Sequence, residues 1–195
     1  MAKVVKFPGP APEKFGLQRV HKQREVPSKP GQLNLFGGRV VKLNHLSTFE
    51  EALMLDEAQN TEAARALYLK SIEEGESVAD AYCNLGILES HSGQHTRAID
   101  CFTKCLALEP RHFEAHYNLA NLYAEVGNYA LAKVHYGISI EVEPAFPNGY
   151  YNLGLTLAMN KEFKEAIYML NRYRQLAPAE DHHQANELIA QLESF

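Results

Sequence analysis

The sequence predicts an all-α solenoid of about four helix-turn-helix units closed by a C-terminal capping helix, behind a basic N-terminal arm. Three observations carry this reading. Short words recur every 34 residues, the recurring segments have helical apolar spacing, and residues 1–45 concentrate proline, glycine and positive charge.

The period is visible in "AYCNLGILESHSGQHTRAIDCFTKCLALEP", "AHYNLANLYAEVGNYALAKVHYGISIEVEP" and "GYYNLGLTLAMNKEFKEAIYMLNRYRQLAP". Asn84, Asn118 and Asn152 stand 34 apart, as do Leu85, Leu119 and Leu153, and Pro110, Pro144 and Pro178. Ala64, Ala98, Ala132 and Ala166 keep the same step and extend it to an atypical first unit.

Each unit reads as two helices. Apolar side chains recur at helical spacing over residues 79–92, "SGQ" interrupts, and a second run from about Thr96 to Leu108 closes at Glu109-Pro110. Small residues at Gly86, Ala120 and Gly154, with Ala98, Ala132 and Ala166 opposite, let paired helices approach closely. Tyr68, Phe102 and Tyr136 are placed to fill the wedge between units, and each proline stops a helix sharply.

These positions resemble the tetratricopeptide repeat. The second unit supplies Tyr82, Leu85, Gly86, Ala98, Phe102 and Pro110; the third supplies Leu119, Ala120, Tyr123, Ala132, Tyr136 and Pro144. Tryptophan is absent, with Tyr82, His116 and Tyr150 in its place; Glu89 replaces the usual Tyr, and Leu170 and Tyr173 alter the fourth unit. The resemblance covers about residues 46–178, divided at about 45–78, 79–112, 113–146 and 147–178. Ser47-Thr48-Phe49-Glu50 spells a capping box for the first helix. Beyond Pro178, Ala185, Leu188, Ile189 and Leu192 lie at i, i+3, i+4 and i+7, so residues 179–195 form the capping helix that a stacked array requires.

The resemblance implies a concave groove lined by the first helix of each unit, with Asn84, Asn118 and Asn152 pointing into it. A carboxamide donates and accepts together, so three in a row match the N–H and C=O groups of an extended peptide. A similar asparagine ladder occurs in the repeat superhelix of O-linked N-acetylglucosamine transferases; the alternative is that each Asn bonds to neighbouring helices. Cys83, Tyr117 and Tyr151 precede the asparagines, and Ile87, Asn121 and Leu155 follow three residues later, on the same helix phase. None of these groove positions is Lys or Arg, so the carboxylate clamp of chaperone-binding relatives is not expected.

Composition bounds the rest. The chain carries a formal charge of −5, and its first 45 residues carry +7, so the body is strongly acidic. Three cysteines without a secretory context predict reduced thiols in a soluble, cytoplasmic protein. No apolar run reaches the roughly 18 residues of a spanning helix, so no membrane partner is expected. His112 and His116 share a face at i, i+4 but do not spell His-Glu-x-x-His, and Cys105 falls in a small-residue slot suited to packing. Neither metal, cofactor nor catalytic site is expected.

The arm, predicted to lack stable structure, contains "QLNLF". This word resembles the one by which bacterial DNA-processing proteins bind the sliding clamp, which implies docking through Gln32, Leu33, Leu35 and Phe36. Packing of the same residues on the first repeat is the structural alternative. The leading reading is a non-enzymatic adaptor that binds a protein or peptide in its groove. Two others stand beside it: a DNA-maintenance accessory recruited by the clamp, its basic arm near nucleic acid, and a subunit of a larger complex.

Overall fold

Nine α-helices account for nearly all of residues 46–194, the part of the chain that the computed structural model describes. The arm, its docking word at 32–36 and Phe195 lie outside the described residues. The helices run α1 (Thr48–Glu57), α2 (Thr61–Glu74), α3 (Val78–His91), α4 (His95–Leu108), α5 (Phe113–Glu125), α6 (Tyr129–Val142), α7 (Pro147–Met159), α8 (Phe163–Leu176) and α9 (His183–Leu192), with a 3-10 turn over Ala179–His182. Successive helices pair as α1/α2, α3/α4, α5/α6 and α7/α8, and α9 packs on α8.

Local chemistry sets the boundaries. The capping box before α1 forms: the Glu50 amide donates to Ser47 Oγ at 3.2 Å, and the Ser47 amide to Glu50 Oε2 at 3.0 Å. Pro147 occupies the first turn of α7, where its missing N–H is not needed.

Within every pair, the turn closes in the same way. Gln59, Gly93, Gly127 and Lys161, again 34 apart, all have positive φ, between 59° and 77°. The next amide then reaches back to a carbonyl five residues earlier: Asn60 to Leu55, Gln94 to Glu89, Asn128 to Tyr123 and Glu162 to Leu157, at 2.8–2.9 Å. This 6→1 bond, made possible by one left-handed residue, satisfies a helix-end carbonyl that would otherwise be orphaned. The period is thus a property of backbone conformation as well as of side chains.

Packing follows the sequence pattern. Ala64, Ala98, Ala132 and Ala166 are wholly buried, as are Tyr68, Phe102 and Tyr136, with Leu170 as the fourth of that series. A Cβ on Gly86 would sit 2.8 Å from the Phe102 ring, and one on Gly154 2.9 Å from Leu170 Cγ. Glycine at these two places therefore fits the large wedge residue rather than the small alanine. Buried Glu89, which stands where the repeat usually has Tyr, pairs with Arg65 of α2 and ties the first unit to the second. Ala185, Leu188, Ile189 and Leu192 of α9 are all buried against the last pair.

Candidate functional site

Three helices, α3, α5 and α7, bring the predicted groove residues together. Asn84, Asn118, Asn121 and Asn152 are buried, as are Cys83, Ile87, Tyr117 and Leu155; Tyr151 is half-buried. Cys83 and Ile87 share a core cluster with Phe102 and Leu119, and Tyr117 and Leu155 share another with Tyr136 and Leu170.

Their polar atoms join in a repeating pattern. Asn118 Nδ2 lies 4.0 Å from Cys83 Sγ, and Asn152 Nδ2 donates to the Tyr117 hydroxyl at 2.8 Å. Each Asn thus reaches the side chain 35 residues before it, which is the position preceding the Asn of the previous unit. Asn152 Nδ2 also donates to Asn121 Oδ1 at 3.2 Å, and that oxygen accepts from the Tyr136 hydroxyl. Burial pushes the Tyr117 and Tyr136 phenols well above their ordinary range, so both remain neutral donors. Tyr151, raised to about 12 by burial, donates to Gln184 Oε1 at 3.0 Å.

At one edge of this row lies a cluster whose convergence the sequence reading missed. His112 is the N-cap of α5, and its Nδ1 accepts from the Ala115 amide at 3.2 Å. Its Nε2 lies 3.2 Å from Asp80 Oδ1, and Glu114 Oε2 lies 3.4 Å from Nδ1. Cys105 of α4 hydrogen-bonds with both Cys83 and the His112 ring. Those bonds, the one from Cys83 first, draw the Cys105 thiol below its ordinary range, while burial drives Cys83 upward. Burial pulls the His112 pKa down, while hydrogen bonds to Asp80 and Cys105 push it up. Only the repeat register could have hinted at this meeting, since it sets Cys83 and Cys105 on facing helices of one unit and His112 at the junction to the next.

His116, which shares a helix face with His112 in the sequence, turns elsewhere. Its Nε2–H donates to the Pro110 carbonyl at 3.1 Å, so its Nδ1 is the acceptor in the 2.9 Å contact with His135 Nδ1. The His135 ring stacks on Tyr123. Burial lowers both pKa values, His135 to about 4 with help from His116.

The helix pairs, their shared turn and this polar row define an all-α repeat array. Residues 79–112 and 101–133 each match a tetratricopeptide repeat model, and the chain is a tetratricopeptide-repeat protein. It is 33% identical over 107 residues to protein O-mannosyl-transferase TMTC3 of Homo sapiens, covering 53% of this chain and 12% of the relative. It is 30% identical over 98 residues to a UDP-N-acetylglucosamine–peptide N-acetylglucosaminyltransferase of Giardia intestinalis, covering 50% and 7%. The chain therefore spans only a small part of either relative. Among solved structures, YrrB, described as a TPR protein with an unusual peptide-binding site, superposes with a TM-score of 0.60 at 19% identity, over 72% of this chain and 71% of that one. The first TPR of Spaghetti (RPAP3), bound to the HSP90 peptide SRMEEVD, gives 0.56 at 19% identity, over 60% and 90%. These two likenesses are of fold. Among the described residues, no helix is long and apolar enough to cross a membrane.

Proposed function

We propose that this chain is a non-enzymatic adaptor that holds an extended segment of a partner protein along the face formed by α3, α5 and α7. The observation that carries this reading is the polar row, in which Asn84, Asn118 and Asn152 recur at one step on the first helices of three successive pairs. The contacts from Asn118 to Cys83 and from Asn152 to Tyr117 order the row before any ligand arrives, which lowers the entropic cost of binding. Asn152 directs its N–H groups at Tyr117 and Asn121, which leaves its acceptor, Oδ1, as the atom for a ligand that displaces part of this packing. Tyr151, half-buried, supplies rigid contact area. Peptide binding in the solved relatives YrrB and RPAP3 favours the same use of this fold. The row lacks Lys and Arg, which favours an internal segment of a partner over a free C-terminal carboxylate.

The test is selection of peptides from a displayed random library on the full chain, followed by calorimetric titration. Enriched peptides should bind, and Asn118→Ala should weaken them by about 0.5–1.5 kcal/mol, the net value of one hydrogen bond. If no peptide is enriched, or if peptides bind the folded Asn84/Asn118/Asn152 triple alanine variant as tightly as the parent, the face is structural alone.

A further inference from the structure

We propose that Cys83, Cys105 and His112 form a binding site for a thiolate-preferring divalent cation, zinc(II) being the best fit, with Asp80 as the fourth ligand. The three ligand atoms lie within 4.8 Å of one another, and all three residues are buried. A tetrahedral zinc ion with Zn–S of about 2.3 Å and Zn–N of about 2.0 Å needs neighbouring ligand atoms roughly 3.5–4 Å apart. The 4.8 Å bound leaves at most about 1 Å for the ligand atoms to close.

The donors come from three elements: Cys83 and Asp80 from α3, Cys105 from α4 and His112 from the cap of α5. Two sulfurs, an imidazole and a carboxylate suit zinc, whereas magnesium and calcium prefer sites made of oxygen alone. A way in exists on the Asp80 side. Its side chain is 25% exposed, and Asp80, exposed Glu109 and His112 also lie within 4.8 Å of one another, so carboxylates stand at the opening.

The protons balance simply. The two thiols release two protons to solvent as the metal–sulfur bonds form, and a His112 ring that is charged beforehand releases a third. At His112 the metal takes the Nε2 position now shared with Asp80 Oδ1, which frees that carboxylate to ligate. The ring proton moves to Nδ1, where Glu114 Oε2 at 3.4 Å accepts it, at the cost of the cap to the Ala115 amide. A carboxylate behind the ring is the usual way a metal-bound histidine is oriented. The bound ion would fasten the second helix pair to the start of the third, directly beside the Asn118–Cys83 contact.

The experiment uses the full chain without a histidine tag, fully reduced, stripped with chelator and titrated anaerobically with cobalt(II). One equivalent should produce thiolate-to-cobalt charge-transfer absorption and the intense visible bands of a tetrahedral site, and zinc(II) should abolish both. Cys105→Ala, which suits its small-residue slot, and His112→Gln should each weaken binding roughly tenfold or more. Cys101→Ser, which lies outside the set, should bind as the parent does. Cobalt held only by histidines such as His116 and His135 gives no charge-transfer band. That result overturns the proposal, as does equal uptake by Cys105→Ala and the parent.

Discussion

Asn152 Nδ2 donates to the Tyr117 hydroxyl at 2.8 Å across the junction between the third and fourth helix pairs. The bond sits at zero to a few per cent exposure, where an unmatched polar group costs more than a bond contributes. Tyr117→Phe should therefore cost about 1–3 kcal/mol by stranding an Asn152 N–H. A double-mutant cycle with Asn152→Ala in urea unfolding should return a coupling of roughly 0.5–1.5 kcal/mol. Additive losses would mean that the two side chains do not act as a pair.

The shared left-handed turn predicts an asymmetry among its four copies. Gly93 and Gly127 hold positive φ without cost, but Gln59 and Lys161 hold it with a Cβ. Lys161→Gly should stabilise the protein by about 0.5–1 kcal/mol, and Gly127→Ala should destabilise it by a similar amount. Thermal unfolding checks both; loss of stability in Lys161→Gly would contradict the turn assignment.

Ala132 is fully buried where α6 meets its partner helix. Ala132→Leu should lower stability by about 1–3 kcal/mol through overpacking. The exposed neighbour Leu131 tolerates Leu131→Ala with a far smaller change in the same measurement.

The His116–His135 pair makes stability depend on pH. Both folded pKa values lie below the ordinary 6.5, with His135 near 4, so the unfolded chain binds the extra protons. The stabilisation is complete above about pH 6.5 and is lost as pH falls toward 4. His135→Phe should flatten the stability profile between pH 7 and pH 5, read from urea unfolding at each pH.

The fold was legible because a 34-residue period fixes many positions at once. Asn, Leu, Gly/Ala, Ala and Pro each returned on the same step, and the capping box at Ser47 and the stripe ending at Leu192 marked both ends. The partners of individual side chains were less legible. Glycine at Gly86 was read against Ala98 but fits the Phe102 ring, because the wedge residue leans over the first helix. Glu89 was only a departure from the repeat until Arg65 supplied its reason. Cys83, Cys105 and His112 come from three elements with no motif spacing between them, so no single stretch of sequence announces that they meet.

The most direct test of the peptide-binding account compares a selected peptide with the same peptide N-methylated at alternate residues, titrated against the full chain. If the asparagine row reads main-chain groups, methylation should weaken binding at least roughly tenfold, the loss of one or two hydrogen bonds. The Asn84/Asn118/Asn152 triple alanine variant should then discriminate little between the two peptides. Equal affinity of the parent for both peptides would contradict the account, because the row would then recognise no backbone at all.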